Sequence, residues 1–86
     1  MANLEKNWQV YLLECLDGSY YTGTTNNLEK RMGVHKSGKG SKYVRAKGFS
    51  QLICSKNYPN RSEALKAEYK IKQLSKYEKL NFFNSS

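Results

Sequence analysis

The segment Trp8–Thr25, WQVYLLECLDGSYYTGTT, contains two β-strand patterns joined by a tight turn. Trp8–Cys15 is rich in aromatic, β-branched and aliphatic residues, and Tyr20–Thr25 is a second run of this kind. Asp17-Gly18, which lies between the two runs, is a strong signal for a β-hairpin. The segment therefore predicts an antiparallel pair of strands from which the rest of the fold is built.

The length of the hairpin loop decides which sheet faces Tyr11 and Tyr21 occupy. A two-residue loop would put the two tyrosines on opposite faces. A three-residue loop of Leu16-Asp17-Gly18, with its glycine in the left-handed conformation, pairs residue 13 with 21 and residue 11 with 23. We predict this second register, in which both tyrosines share a face and Gly23 leaves room beside the Tyr11 ring.

A helix is predicted directly after the hairpin. Asn26 and Glu29 have the spacing of a capping box, and the helix ends near Gly38. At about 100° per residue, one helix face collects two apolar and two polar side chains: Leu28, Met32, Arg31 and His35. A solvated arginine or histidine is more typical of the opposite face, so Arg31 and His35 are candidate functional residues.

The second half of the chain predicts a short basic helix, a third strand and a long helix. The short helix covers Ser41–Lys47, and the strand covers Phe49–Ser55. Asn60 and Glu63 have capping-box spacing at the start of the long helix. The fold class is therefore α+β, a three-stranded antiparallel sheet flanked by helices in the order β-β-α-α-β-α, with a short terminal helix from Lys76 left open.

The long helix carries a carboxylate, that of Glu68, inside its apolar stripe. The stripe consists of Ala64, Leu65, Ala67, Ile71 and Leu74. The opposite side carries Lys66, Tyr69, Lys70 and Gln73. Burying part of a carboxylate is costly unless it meets a cation or a metal ion. The alternative is that Glu68 lies at the margin of the stripe, with its carboxylate turned to water.

The size and composition of the chain exclude several classes of protein. A chain of 86 residues allows one domain, 1–86, with a small core. No run approaches the roughly 18 apolar residues of a membrane span, and Met1–Lys6 lacks a signal-peptide pattern, so the expected location is the cytoplasm. Cys15 and Cys54 lack zinc-ligand spacing and are interpreted as reduced cysteines.

The basic residues are concentrated in two stretches. The chain has 15 Lys and Arg against 7 Asp and Glu, a net charge of +8. No acidic residue occurs from Lys30 to Lys47, and a second lysine cluster covers Lys66–Lys79. This pattern is typical of a polyanion binder and predicts nucleic acid as the partner. A merely solvated basic surface is the alternative, and no sustained amphipathic helix indicates a membrane surface.

Five of these residues together supply what phosphodiester cleavage requires. The reaction needs a proton acceptor, a cation for the phosphate and a carboxylate for a divalent ion. Taken singly, each residue has an ordinary structural explanation, such as cross-strand packing for the tyrosines or a salt bridge for the arginine. We nevertheless predict that the five side chains converge on one concave surface: Tyr11, Tyr21, Arg31, His35 and Glu68.

The order of these residues resembles the signature of the GIY-YIG nucleases. Gln9-Val10-Tyr11 and Tyr21-Thr22-Gly23 match its two tripeptides, and Asn27–His35 matches the helix that follows. His35–Phe49 and Ser62–Leu80 resemble small, stand-alone bacterial members of the family, so the resemblance covers nearly the whole chain. It implies the three-stranded sheet flanked by helices that the pattern also predicts.

The resemblance implies a divalent-metal-dependent endonuclease that hydrolyses DNA. Tyr11 matches the tyrosine of the first tripeptide, here the general base, and Tyr21 would orient the water or a phosphate oxygen. Arg31 would stabilise the phosphate, His35 would share or relay the proton, and Glu68 would hold Mg²⁺ or Mn²⁺, weakly without substrate. The DNA backbone would be gripped without sequence readout by Lys39, Lys42, Tyr43, Arg45 and Lys47.

The chain departs from the family pattern at several positions. Gln9 replaces a glycine, Thr22 replaces an isoleucine, and Thr24 stands where several members carry a lysine thought to assist a catalytic tyrosine. Asn81 and Asn84 are candidates for a late asparagine used by some members. These departures, and the expected lack of a DNA-recognition domain, favour an alternative function, a non-catalytic nucleic-acid-binding module on the same fold.

The expected partners remain broad at this stage. The resemblance is compatible with branched, damaged or duplex DNA and with a structure-specific role in repair, while RNA and single strands stay open. A separate protein would then target the domain to its substrate. No membrane partner is expected. A third possibility, a structural protein with a solvated basic face, requires the placement of Arg31 and Glu68 to be coincidence.

Overall fold

The predicted hairpin forms the first part of a three-stranded antiparallel sheet. The structure is a computed structural model that describes residues 7–84. Strand β1 (Trp8–Cys15) pairs with β2 (Tyr20–Thr25) on one side and with β3 (Phe49–Tyr58) on the other, so β1 is central. β3 continues past the predicted end at Ser55 because its last residues still pair with the start of β1.

The hairpin register is the one predicted for a three-residue loop. Leu13 pairs with Tyr21 and Tyr11 with Gly23 across β1 and β2. Gly18 has a positive φ of 87°, the left-handed conformation that this loop requires. Tyr11 and Tyr21 therefore project from the same face of the sheet.

Helices cover both faces of this sheet. In the described part of the chain they are α1 (Leu28–Lys36), α2 (Lys42–Lys47), α3 (Arg61–Lys72) and α4 (Lys76–Asn84). The order β-β-α-α-β-α-α confirms the α+β class and closes the open question of a terminal helix from Lys76. No helix within residues 7–84 has the length and apolar character of a membrane span. The interpretation of Met1–Lys6 lies outside the described residues.

The start of α1 differs by one residue from the prediction. The side chain of Asn27, rather than that of Asn26, accepts the backbone N–H of Lys30 at 3.1 Å. Thr25 explains the shift, because its hydroxyl accepts the N–H of Asn27 at 3.1 Å and fixes the chain just before the cap. Asn26, the predicted cap, is left free to line the cavity described below.

The core consists of two apolar clusters, one on each face of β1. On one face, Tyr11 and its neighbours pack against Met32 of α1 and Val44 of α2. On the other face, Val10 packs against two residues of α3, Ala64 and Ile71. The predicted stripe on α3 is therefore buried at these two positions. Its member Leu65 is 41% exposed, since the residue faces the rim of a cavity rather than the core.

Candidate active site

A cavity of about 480 Å³ gathers the side chains predicted to form the site. Its walls come from β1, β2, α1, α3 and the loop that follows α1. The lining residues include all five that the sequence singled out: Tyr11, Tyr21, Arg31, His35 and Glu68. The structure therefore brings these five together, while their roles in catalysis stay predictions.

Tyr11 and Tyr21 lie side by side on one face of the hairpin. Their ring centroids are 6.3 Å apart, with the planes tilted by 47°. Gly23 lies opposite Tyr11 in the sheet, and a Cβ atom at that position would overlap the Tyr11 hydroxyl. The glycine therefore leaves the space in which the phenol of Tyr11 turns toward α1.

The Tyr11 hydroxyl is hydrogen-bonded to His35 from α1. Tyr11 Oη lies 2.9 Å from His35 Nε2, and the two residues are 2% and 3% exposed. Burial, with a smaller contribution from Tyr21, raises the pKa of Tyr11 above its ordinary value. Burial and the nearby Arg31 charge lower the pKa of His35 from 6.5. Both groups are therefore uncharged at neutral pH.

The His35 ring is confined from three sides. Tyr11 and Tyr21 make edge contacts with the ring at centroid distances of 5.9 and 5.8 Å. Gly40 closes the remaining side, because a Cβ atom there would overlap His35 Nδ1. Nδ1 is buried and has no hydrogen-bond partner among residues 7–84. Sequence reasoning missed Gly40, although the glycine-rich run after α1 was its signal.

Arg31 places a positive charge at the mouth of this cavity. It lies one helical turn before His35 on α1, and its side chain is exposed while it still lines the cavity. Its guanidinium acts on both buried partners, since its charge also favours the ionised form of Tyr11. An exposed guanidinium beside a neutral hydrogen-bonded pair is suited to binding an oxyanion such as a phosphate.

Glu68 is held by two polar groups rather than turned to water. Its side chain is only 16% exposed. Thr24 donates its hydroxyl proton to Oε1 at 2.6 Å, and the Lys72 ammonium lies 2.9 Å from Oε2. Of the outcomes left open by the sequence, the structure therefore shows a carboxylate that meets a cation. The i, i+4 spacing of Glu68 and Lys72 was the signal that could have predicted this pair.

The oxygen donors at Glu68 fit a hard divalent cation with few protein ligands. The carboxylate and the Thr24 hydroxyl are the kind of donor that Mg²⁺ or Mn²⁺ prefers, and Mg²⁺ usually keeps several water ligands. Residues 7–84 contain no cluster of three or more His, Cys, Asp or Glu that could hold a metal ion. A metal ion bound here would therefore have a single protein carboxylate as its ligand.

The predicted nucleic-acid contacts occupy one side of the cavity and the adjacent helix α2. Lys39 lines the cavity, and the Tyr43 ring stacks on Tyr21 at 5.9 Å with an interplanar angle of 27°. Lys47 already forms an ion pair, because its ammonium lies 3.1 Å from the carboxylate of Asp17. The two remaining members are exposed on α2: Lys42 and Arg45.

The cavity lining also contains residues that sequence reasoning missed. Trp8 and Arg61 both line it, and the guanidinium carbon lies 5.7 Å from the centroid of the Trp8 ring. The asparagine candidates Asn81 and Asn84 line a separate hollow beside α4 instead. They are therefore not part of this site.

Comparisons with known proteins agree with this architecture. The family described as the GIY-YIG catalytic domain matches residues 7–81. A UPF0213 protein of Oceanobacillus iheyensis is 48% identical over 77 residues, which cover 90% of each chain. The solution NMR structure of a protein from E. faecalis shares 40% identity and a TM-score of 0.61, over 91% of this chain and 84% of that one. That of a UPF0213 protein from Bacillus halodurans shares 43% identity and a TM-score of 0.55, over 90% and 82%.

The fold and the family match thus define a small α+β domain of the GIY-YIG class. The chain belongs to the GIY-YIG family, and small bacterial UPF0213 proteins are among its relatives.

Proposed function

We propose that this protein is a divalent-metal-dependent endonuclease that hydrolyses phosphodiester bonds in DNA. The observation that carries the proposal is the buried hydrogen bond between Tyr11 and His35, next to the Arg31 guanidinium in one cavity. A purely structural tyrosine–histidine pair does not require an exposed arginine and a carboxylate at the same cavity. The arrangement instead matches the chemistry of attack by water on a phosphate.

Tyr11 acts as the general base through His35 rather than as a preformed phenolate. Because burial raises the pKa of Tyr11, the ionised form is scarce at neutral pH. The phenol oxygen accepts a proton from water as its own proton passes to His35 Nε2, 2.9 Å away. His35 is available for this because its lowered pKa leaves it neutral. The uncharged pair thus avoids the cost of a buried phenolate.

Arg31 binds the phosphate and stabilises the charge that develops on it. A guanidinium presents paired N–H donors whose geometry suits phosphate oxygens. The Arg31 side chain is exposed and at the cavity, so it reaches a phosphate without first being uncovered. Tyr21, beside Tyr11, orients the attacking water or a phosphate oxygen with its hydroxyl.

Glu68 would hold the divalent ion, and Thr24 orients the carboxylate through its 2.6 Å hydrogen bond. A bound Mg²⁺ or Mn²⁺ would stabilise charge on the scissile phosphate and on the leaving oxygen. One carboxylate gives weak binding on its own, so substrate oxygens complete the site.

The protein binds the substrate through its phosphate backbone, and the shape of the cavity selects the structure of the nucleic acid. Lys39, Tyr43 and the exposed cations of α2 contact phosphates without reading bases. Branched, damaged or duplex DNA in a repair setting is the proposed substrate class, with a targeting protein as partner. RNA is tested alongside DNA.

One observation favours a second candidate, a nucleic-acid-binding module without catalysis. Both carboxylate oxygens of Glu68 already have protein partners, namely Thr24 and Lys72. If that carboxylate is purely structural, no divalent ion binds there and the basic surface remains the functional feature.

A cleavage assay distinguishes these candidates. Purified protein is incubated with Mg²⁺ or Mn²⁺ and a panel of duplex, branched, damaged and single-stranded DNA and of RNA. Cleavage by the wild type is expected to fall at least about 100-fold in Tyr11→Phe and in Arg31→Ala. Tyr77→Phe, a tyrosine that is 71% exposed on α4, is the matched control and retains activity. Binding without cleavage of any substrate with either metal would establish the binding module instead.

A further inference from the structure

The ammonium of Lys72 forms an ion pair with Glu68, the carboxylate that is proposed to bind the metal ion. Its nitrogen lies 2.9 Å from Glu68 Oε2, while the other oxygen accepts the hydrogen bond from Thr24. The same nitrogen is 5.9 Å from the centroid of the Tyr21 ring, which lines the cavity. The Lys72 ammonium therefore lies near both the Glu68 carboxylate and a side chain that lines the cavity proposed to bind the substrate phosphate.

The two partners in this ion pair differ in their freedom to move. The Glu68 side chain is 16% exposed, whereas that of Lys72 is 51% exposed. Glu68 is also fixed by Thr24 from β2, but the Lys72 ammonium has Glu68 as its one ion-pair partner within residues 7–84. The Lys72 ammonium can therefore move into solvent by side-chain rotation, whereas the hydrogen bond from Thr24 holds the carboxylate in place.

We propose that Lys72 is the internal counter-ion of Glu68 and must leave before a divalent cation binds there. Two cations that share one carboxylate repel each other at short range, and this repulsion weakens the binding of the metal. The inference rests on the proposed function, since it takes Glu68 as the metal ligand. It adds that Lys72 sets the metal affinity of the site.

A phosphate in the cavity gives the displaced ammonium a new partner. The Lys72 ammonium lies 5.9 Å from the ring of Tyr21, which lines the cavity, so a phosphate bound there by Arg31 attracts the ammonium away from Glu68. Nucleic acid then favours metal binding, and by reciprocity the metal favours nucleic-acid binding. The site accordingly fills with metal when substrate is present and binds free metal weakly otherwise.

The first experiment measures Mn²⁺ binding without nucleic acid, from the EPR signal of the free ion. Lys72→Gln is expected to bind Mn²⁺ about tenfold more tightly than the wild type, because a like charge has been removed. Lys72→Arg keeps the charge and is expected to retain the wild-type affinity. Lys70→Gln is the matched control, since it removes an exposed lysine from the same helix, and it is also expected to match the wild type.

The outcomes separate this inference from the proposed function. Equal Mn²⁺ affinity in Lys72→Gln and the wild type overturns the role of Lys72, even if the wild type cleaves DNA. Tight Mn²⁺ binding that survives in the Glu68→Gln/Lys72→Gln double variant also overturns it, because the ion then binds elsewhere. Tightened binding by Lys72→Gln in a protein that cleaves no substrate supports the inference and contradicts the proposed endonuclease activity.

The second experiment measures the coupling between metal and nucleic acid. Tyr11→Phe is used as the background so that DNA stays intact during the titration. Adding duplex DNA is expected to raise Mn²⁺ affinity about tenfold in this background and by a smaller factor when Lys72→Gln is added. An equal gain in both proteins would exclude Lys72 as the source of the coupling. Circular dichroism of each variant verifies that the fold is retained.

Discussion

Each of the two buried residues at the base of the cavity is uncharged, and this determines the pH range of the proposed chemistry. Tyr11 and His35 are 2% and 3% exposed. Burial raises the pKa of Tyr11 and lowers the pKa of His35, so the neutral form of each is favoured. A proton relay through this pair needs neutral His35 as the acceptor. Protonation of His35 is therefore expected to cause the loss of cleavage at acidic pH.

We expect cleavage to be insensitive to pH near neutrality and to decline only at acidic pH. The pKa of His35 lies below 6.5, so the imidazole is already neutral at pH 7. The single-turnover rate measured from pH 5 to 8 is expected to be level above about pH 6.5 and to fall below it. A rate that falls already between pH 8 and 7 would contradict the assignment of His35 as the acceptor.

The free energy of unfolding is also expected to decrease at acidic pH because of His35. Because folding lowers the pKa of His35, the unfolded chain binds more protons than the native state as the pH drops below 6.5. The free energy of unfolding is therefore fully retained above that pH and declines as the pH falls. His35→Gln removes the titration, so urea unfolding at pH 7.5 and 5 is expected to show a smaller decline than the wild type. An equal decline in both proteins would show that residues other than His35 cause the loss of stability at acidic pH.

Glu68→Gln separates a metal ligand from a structural ion pair. The sequence allowed an uncompensated carboxylate, whose removal would leave stability unchanged or slightly increased, but the ion pair with Lys72 overturns that expectation. The Lys72 side of the pair is half exposed, so its loss is expected to cost about 0.5–1 kcal/mol in urea unfolding, while Thr24 still donates to the amide oxygen. Cleavage is expected to be abolished with DNA binding retained. A loss above about 2 kcal/mol with normal cleavage would identify a structural role.

At the scale of elements, the loop after α1 works as a wall that holds the His35 ring in place. Gly40 lacks the Cβ atom that would overlap His35 Nδ1. Gly40→Ala is expected to displace the ring from Tyr11 and to lower cleavage about 10- to 100-fold, with DNA affinity unchanged. NMR of the His35 ring protons reports the displacement directly.

Gly33→Ala is the matched control for this loop substitution. Gly33 lies on α1 with open space around its Cβ position, so the alanine meets no neighbour. Higher helix propensity is expected to stabilise the protein by about 0.5–1 kcal/mol and to leave cleavage unchanged. Full activity in Gly40→Ala, or equal losses in both variants, would contradict the role of the loop.

The sequence predicted most of these elements because their signals are local. Asp17-Gly18 and the alternation around it determined the hairpin register, and hence the shared face of Tyr11 and Tyr21. The predicted start of α1 was wrong by one residue, because the hydroxyl of Thr25 accepts the N–H of Asn27 and fixes the chain just before the cap.

The contacts that sequence could not predict connect separate elements. Thr24 reaches Glu68 across 44 positions, and the contact of Gly40 with His35 depends on the path of a loop. The contact between Trp8 and Arg61 likewise requires β1 and α3 to be packed together. Periodicity places a residue on a face of its own element, whereas the neighbour it meets depends on tertiary packing. The convergence of the five side chains on one cavity was therefore predicted more completely than the contacts among them.

At the scale of the whole molecule, the net charge of +8 determines how nucleic acid is approached. Seven acidic residues are outnumbered by 15 basic ones, and α2 presents Lys42 and Arg45 beside Tyr43, whose ring stacks on the cavity residue Tyr21. Such a surface attracts phosphates over a distance set by the ionic strength. Affinity for DNA is therefore expected to be largely independent of sequence and to fall steeply with added salt.

Charge reversal on α2 tests whether this helix makes the phosphate contacts. Lys42→Glu with Arg45→Glu is expected to weaken duplex binding and to reduce the slope of log affinity against log salt by about 2, since each lost phosphate contact releases about 0.9 fewer counterions. Fluorescence anisotropy from 50 to 300 mM salt measures the slope. Lys66→Glu with Lys70→Glu applies the same change of charge on the part of α3 that lines a different groove, and it is expected to leave the slope nearly unchanged. Equal slopes for the two double variants would show that net charge alone, and not the position of α2, determines binding.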